Sequence, residues 1–177
     1  VEENTPFDQE VSLDPELLGK VFENLLAAYN PETQTTARKQ TGSFYTPREI
    51  VQYMVDESLI AHLKRTIGED LEPEYRKLIQ YTDEEPTLTD DQKRQIMQSL
   101  YECKVLDPAC GSGNFLIYAF SLFYDLYVDQ MENYERDYSR RDIPKMIVEN
   151  NLFGVDLDER AAQISQIALF IKARELG

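Results

Sequence analysis

The run DPACGSGNF, residues 107–115, constrains this chain more than any other stretch. A short apolar segment, Val105-Leu106, precedes it and a longer one, Leu116–Tyr124, follows. That order predicts a strand, a tight glycine turn and a helix, with an acid at the strand's end. Gly111 and Gly113 allow a positive φ and a close ligand approach that side-chain-bearing residues resist. The free N–H groups that open the next helix then face whatever occupies the turn. The dinucleotide fingerprint needs glycine or alanine three residues after its second glycine. Here that position is Leu116, and the acid four residues before Gly111 suits a ligand carrying an ammonium group.

Two more segments stand in order around this turn. Upstream, residues 42–47 read GSFYTP; downstream, residues 151–158 read NLFGVDLD. Together the three resemble the S-adenosylmethionine-dependent amino-methyltransferases that methylate adenine N6 in DNA. The wording around them, LLGKVFENLLAAYNPET and TGSFYTPREIVQYMVDESL, is most similar to type IIG restriction–modification enzymes and related phage-defence methylases. The resemblance covers roughly Asp14–Gly177 apart from two inserts.

The resemblance implies an α/β fold: part of a Rossmann-like class I methyltransferase domain, preceded by N-terminal helices. Residues 1–45 would form a helical segment and loop, and residues 46–177 the front of the cofactor-binding domain, with inserts at about 67–90 and 131–145. It implies S-adenosylmethionine as cofactor. Tyr45 and Thr46 would meet its methionine end, and Asp107, Pro108, Ala109, Gly111, Gly113 and Asn114 would form the cofactor loop. Asp156, with Leu157 beside it, would take the ribose.

Each assignment has a plainer competitor. Asp107 can cap the glycine turn by accepting backbone N–H bonds. Thr46 heads a T-x-x-E capping box with Pro47 at the first helical position, which explains its identity without a ligand. Phe44 and Tyr45 can be core aromatics. Asp156 lies 43 residues after Gly113, farther than the roughly 20 of the dinucleotide motif. Asp158 reads as a helix N-cap. Cys110 reads as a small buried side chain, and the lone histidine, His62, excludes a histidine-based metal cluster.

Apolar residues at three- and four-residue steps predict a helix over 14–30, stopped by Asn30-Pro31, then a loop over 31–45. A second helix starts at Thr46 and buries Ile50, Val51, Met54, Val55 and Leu59. Residues 67–90 read as a mobile acidic loop or insert, and 90–101 as a short helix. Strands follow at Lys104–Leu106 and Leu152–Asp156, adjacent and parallel by the strand–helix–strand order. Between them lie a helix over 114–130 and a charged surface insert over 131–145. The last helix directs Ile164, Ile167, Ala168 and Ile171 at the sheet.

Charge limits the partners. The net charge is −15 over 177 residues. Residues 1–30 hold seven acids against Lys20, and residues 67–102 hold ten acids against four bases. Only residues 36–65, with Arg38, Lys39, Arg48, Lys64 and Arg65 against three acids, are locally basic. Duplex binding rests on neutralising phosphates, so double-stranded DNA is expected to be gripped by other parts of a longer protein. No N-P-P-Y-like catalytic run occurs, and no catalytic residue is assigned. The absence of a signal peptide, a membrane-spanning run or a cysteine framework points to the cytoplasm. Two alternatives remain open: a methyltransferase acting on RNA or protein, and a non-catalytic assembly module that docks through helix 14–30.

Overall fold

A computed structural model describes residues 15–26, 29–30, 35–36, 46–80, 82, 84–131 and 140–176. The elements run α1 (Pro15–Leu26), β1 (Tyr29–Asn30), β2 (Thr35–Thr36), α2 (Arg48–Thr66), a 3-10 turn (Glu69–Leu71), α3 (Glu72–Ile79) and α4 (Asp90–Glu102). Then come β3 (Val105–Asp107), α5 (Asn114–Met131), α6 (Ile143–Met146), a π turn (Ile147–Asn151), β4 (Leu152–Gly154) and α7 (Glu159–Leu176). The described residues are mostly helical, around a small parallel sheet, an arrangement compatible with the α/β class.

As expected, β3 and β4 are adjacent and parallel, with Val105 opposite Leu152, Leu106 opposite Phe153 and Asp107 opposite Gly154. The pairing continues past the strand ends, because Val155 N donates to Asp107 O at 2.9 Å and Cys110 N donates to Val155 O at 3.0 Å. The strand expected over Leu152–Asp156 thus narrows to three residues, and Asp156 lies on the turn beyond it. Helix α5 is the hub. It packs against both strands, α1, α2 and α7. Its Leu116, Phe120, Phe123, Leu126 and Tyr127 are fully buried, and with Leu63, Ile96 and Leu100 they form the core.

Several expectations need correction. Helix α1 ends at Leu26, four residues short of Asn30. Tyr29 and Asn30 instead pair antiparallel with Thr36 and Thr35, a short ladder inside the stretch read as helix and loop. Pro31 explains this, because the residue before a proline is pushed from helical to extended backbone.

The capping box at Thr46 does not form. Pro47 itself takes the N-cap position, its carbonyl accepting from Ile50 N at 3.0 Å and Val51 N at 3.1 Å, with no side-chain cap. Thr46 is thereby one residue too early to cap. The buried face of α2 is Val51, Leu59, Ile60 and Leu63, whereas Ile50 and Met54 stay half exposed.

The largest correction concerns residues 67–90, which are not an unstructured loop. They contain α3, whose Tyr75, Leu78 and Ile79 are buried against α2 and α5. Its acids mask this pattern, but they are partnered: Arg76 bridges Glu57 and Glu72, Lys64 pairs with Glu72, and Lys77 pairs with Glu74 and Glu84. Likewise, Ile143 and Pro144 at the end of the charged insert are buried. In α7 the inward residues are Ala161, Ser165 and Ala168, while Ile167 is half exposed.

Candidate functional site

The glycine turn sits where β3 ends and α5 begins, and both glycines use the left-handed region: φ is 53° at Gly111 and 91° at Gly113. At Gly113 space is decisive as well. A Cβ there would lie 2.4 Å from Ser165 Oγ and 3.0 Å from Ser165 Cβ. The small inward face of α7 therefore exists to let the turn approach. Gly113 N donates to Cys110 O at 2.8 Å and closes the turn.

Two acids from the two strands converge on it. Asp107 Oδ1 accepts from Ala109 N at 3.1 Å, the local bond a turn-capping acid makes. Its Oδ2 has no hydrogen bond among the described residues. Burial pushes the Asp107 carboxyl above the usual range, opposed by the Ala109 N–H and reinforced by the charge of Asp156. A half-buried carboxylate with an oxygen to spare is a natural seat for a cation.

Asp156 is tied to the turn itself. Its Oδ2 accepts from Gly111 N at 2.8 Å and its Oδ1 from Asp158 N at 2.8 Å. Asp158 caps α7 as expected, Oδ1 accepting from Arg160 N at 3.0 Å, with the Arg160 guanidinium beside it holding the carboxyl below its ordinary range. Leu157, between the two acids, is fully exposed.

The upstream segment joins through its backbone. Asn114 Nδ2 donates to Thr46 O at 2.8 Å, across 68 residues. Tyr45 lies outside the described residues. Pro108 and Ala109 are exposed at the tip of the turn. Beside them a groove of about 480 Å³ runs between α2 and β3, lined among others by Met54, Leu59, Leu106, Asp107, Pro108 and Phe115. The structure thus brings Thr46, Asp107, Gly111, Gly113, Asn114 and Asp156 into one neighbourhood.

Cys110 is buried. Its thiol is pushed up by burial and by the charges of Asp107 and Asp156, which suits packing and not nucleophilic attack. His62 Nε2 lies 3.2 Å from Ser99 Oγ between α2 and α4, remote in sequence from the turn. Among the described residues no cluster of histidines, cysteines or acids could hold a metal ion.

Comparison with known proteins gives this arrangement a family. The DNA-methyltransferase domain of MmeI matches residues 83–176, and the N-6 DNA methylase domain matches residues 13–68. The chain belongs to the adenine-N6 DNA methyltransferases. An adenine-specific methyltransferase BrxX of Escherichia coli O9:H4 is 38% identical over 135 residues, covering 74% of this chain and 11% of that protein. An adenine-specific methyltransferase PglX of Lacticaseibacillus casei is 30% identical over 190 residues, covering 95% of this chain and 15% of that protein. This adenine-N6 methyltransferase chain therefore spans about a seventh or less of the length of these relatives. The glycine turn and both acids fall within the MmeI match, whereas Thr46 and α2 fall within the other.

Asn151, the first residue of the NLFGVDLD segment, has a structural role that its sequence pattern does not announce. Fully buried, it donates to Leu100 O at 2.9 Å and Cys103 O at 2.8 Å and accepts from the Tyr127 hydroxyl at 3.3 Å. It thereby pins the end of α4 to the entrance of β4. The one available signal was a polar pair, Asn150-Asn151, directly ahead of an apolar strand.

Proposed function

We propose that this chain is the S-adenosylmethionine-binding part of a site-specific DNA adenine-N6 methyltransferase of a restriction or phage-defence system. The observation that carries the reading is the Asp107 oxygen that has no hydrogen bond among the described residues, on a side chain that lines the groove one turn from two positive-φ glycines. Family membership supports it.

The residues fit the cofactor's parts. Asp107 Oδ2 receives the ammonium group through a charge-assisted hydrogen bond. Gly111 and Gly113 leave room for the methionine chain, bordered by Thr46 and Asn114, with Tyr45 assigned to the same end by the resemblance alone. Asp156 keeps acceptor capacity on both oxygens for the ribose hydroxyls, since a carboxylate oxygen has two lone pairs. Leu157 offers an apolar surface to adenine, and Pro108 and Ala109 border the entrance. When bound, the cofactor supplies an electrophilic methyl group.

The finer fold belongs to the same proposal. β3 and β4 are the first two strands of a Rossmann-like sheet, completed by segments outside residues 1–177 that also bring the catalytic residues and the main DNA grip. Half-exposed Leu106 and Phe153 on these strands support that. Domains divide at about residue 45, and work in the cytoplasm follows from substrate and composition. No described helix is long and apolar enough to cross a membrane.

Calorimetric titration with S-adenosylmethionine and S-adenosylhomocysteine tests the reading. Asp107→Ala should lose about 1.5–3 kcal/mol of binding free energy, the worth of a hydrogen bond to a charged group. Equal affinity in wild type and Asp107→Ala would remove the ammonium assignment.

A further inference from the structure

Helix α1 lies outside the stretch to which the cofactor reading assigns contacts, yet it touches the turn from behind. It packs along α7 and α5. Gly19, the fifth of its twelve residues, is buried. A Cβ at Gly19 would stand 2.9 Å from Ser112 Oγ and 3.3 Å from Ser112 Cβ, with Ser112 itself buried. Glycine inside a helix costs about 1 kcal/mol relative to alanine. Close approach to Ser112 is what that cost obtains.

The Ser112 hydroxyl can rotate, but its Cβ and backbone have little freedom to yield. On one side Gly111 is held by Asp156 through its amide. On the other, Gly113 sits within van der Waals contact of Ser165 and opens α5. A side chain at position 19 thus pushes on a residue clamped at both neighbours, and the push passes into the segment between the two acids. The opposite face of α1 carries Leu17, Val21 and Leu25, all exposed. The glycine is on the side that meets the turn.

We infer that Gly19 is a positioning residue for the cofactor turn, acting through Ser112, and that α1 is a working part of the binding site. The inference rests on the proposed cofactor reading for its ligand and on the Gly19–Ser112 approach for its geometry.

The test uses the 177-residue chain, with S-adenosylhomocysteine as probe. Gly19→Val should weaken binding about tenfold, because a site loosened by a fraction of an ångström loses its fit. Gly19→Ala should weaken it less, and Ser112→Ala combined with Gly19→Ala should recover most of the loss. Lys20→Val, at an exposed position of the same helix, should bind like wild type. Amide hydrogen exchange at residues 111–114 gives a second readout that needs no ligand. Exchange there should rise in the Gly19 variants, more than at the core amides of α5, and fall back in the double variant. If wild type binds and the folded Gly19 variants bind equally well, the inference is overturned. If no variant or wild type binds the probe, the cofactor reading fails, and unchanged exchange at residues 111–114 would then overturn the Gly19 coupling as well. Should Gly19→Val not fold, Gly19→Ala with its rescue carries both readouts.

Discussion

Gly111 N donates to Asp156 Oδ2 at 2.8 Å, joining the turn after the first strand of the parallel pair to the turn after the second. A residue expected to serve only a ligand therefore also holds the site together. Asp156→Ala should lower stability by about 1.5–3 kcal/mol, the cost of removing a charged acceptor from two backbone donors. Asp156→Asn keeps one acceptor oxygen and should fall between alanine and wild type. Urea denaturation separates this from ligand affinity. A variant as stable as wild type would show that water replaces both bonds.

Asn151→Leu should be the more damaging change, although it touches no ligand. It takes from the Cys103 carbonyl and the buried Tyr127 hydroxyl the partner they have in Asn151, and from the Leu100 carbonyl one of its two donors, leaving it the Cys103 N–H at 3.2 Å. Orphaned buried groups of this kind together cost about 3 kcal/mol. For a chain of this size that lowers the melting temperature by roughly 6–12 °C. Scanning calorimetry reads the shift, and a drop under about 1 kcal/mol would contradict the network's role.

The elevated carboxyl of Asp107 gives binding a pH signature. Burial raises its folded-state pKa, so on its own it costs stability as pH rises from the ordinary carboxylate pKa through the folded one. A bound ammonium group favours the ionised form. At any pH low enough to protonate part of the free site, ligand binding should release a proton. Titrations in buffers of different ionisation enthalpy should show heats that vary with the buffer. The Asp107→Asn variant should lose that dependence, and its persistence there would assign the proton elsewhere.

Cys110 should resist alkylation in the native state at neutral pH, since it is buried and its thiol is pushed up by burial and two nearby carboxylates. Mass spectrometry after iodoacetamide treatment should find it modified only on unfolding. Fast native labelling would mean the turn opens readily.

The chain alone should neither methylate DNA nor hold it tightly. Net charge −15 leaves few bases to displace phosphate counterions. Residual contact should run through the Arg38–Arg48 stretch, of which Arg48 is exposed at the start of α2. Tritiated cofactor with unmethylated duplex, and a gel shift at low salt, check both parts. Turnover above background would place catalytic residues inside these 177 positions.

What the sequence disclosed depended on how local the signal was. β3, its glycine turn and α5 were legible because an apolar run, two glycines and a second apolar run stand side by side. α3 was not, because its three buried residues are interleaved with charges whose partners lie on α2 and across a loop. The capping box was assigned to Thr46 on a matching pattern, yet among the described residues it forms at Thr89, where Gln92 N donates to the threonine hydroxyl and Gln92 Oε1 accepts from Thr89 N. Proline at position 47 shifted the helix start by one residue, a difference no pattern of residue types encodes. Asn151 was invisible because its partners are 24 to 51 residues away.

Among the described residues no strand covers either margin of the β3–β4 pair, and this bears on how the chain behaves in a tube. Leu106 and Phe153 face outward on a two-stranded ribbon, the kind of edge along which separate copies can stack into sheets. The acidic surface that disfavours a duplex also keeps such copies apart by mutual repulsion. Turbidity should therefore climb when acid neutralises the carboxylates or concentrated salt screens them, and clear again on return to dilute neutral buffer.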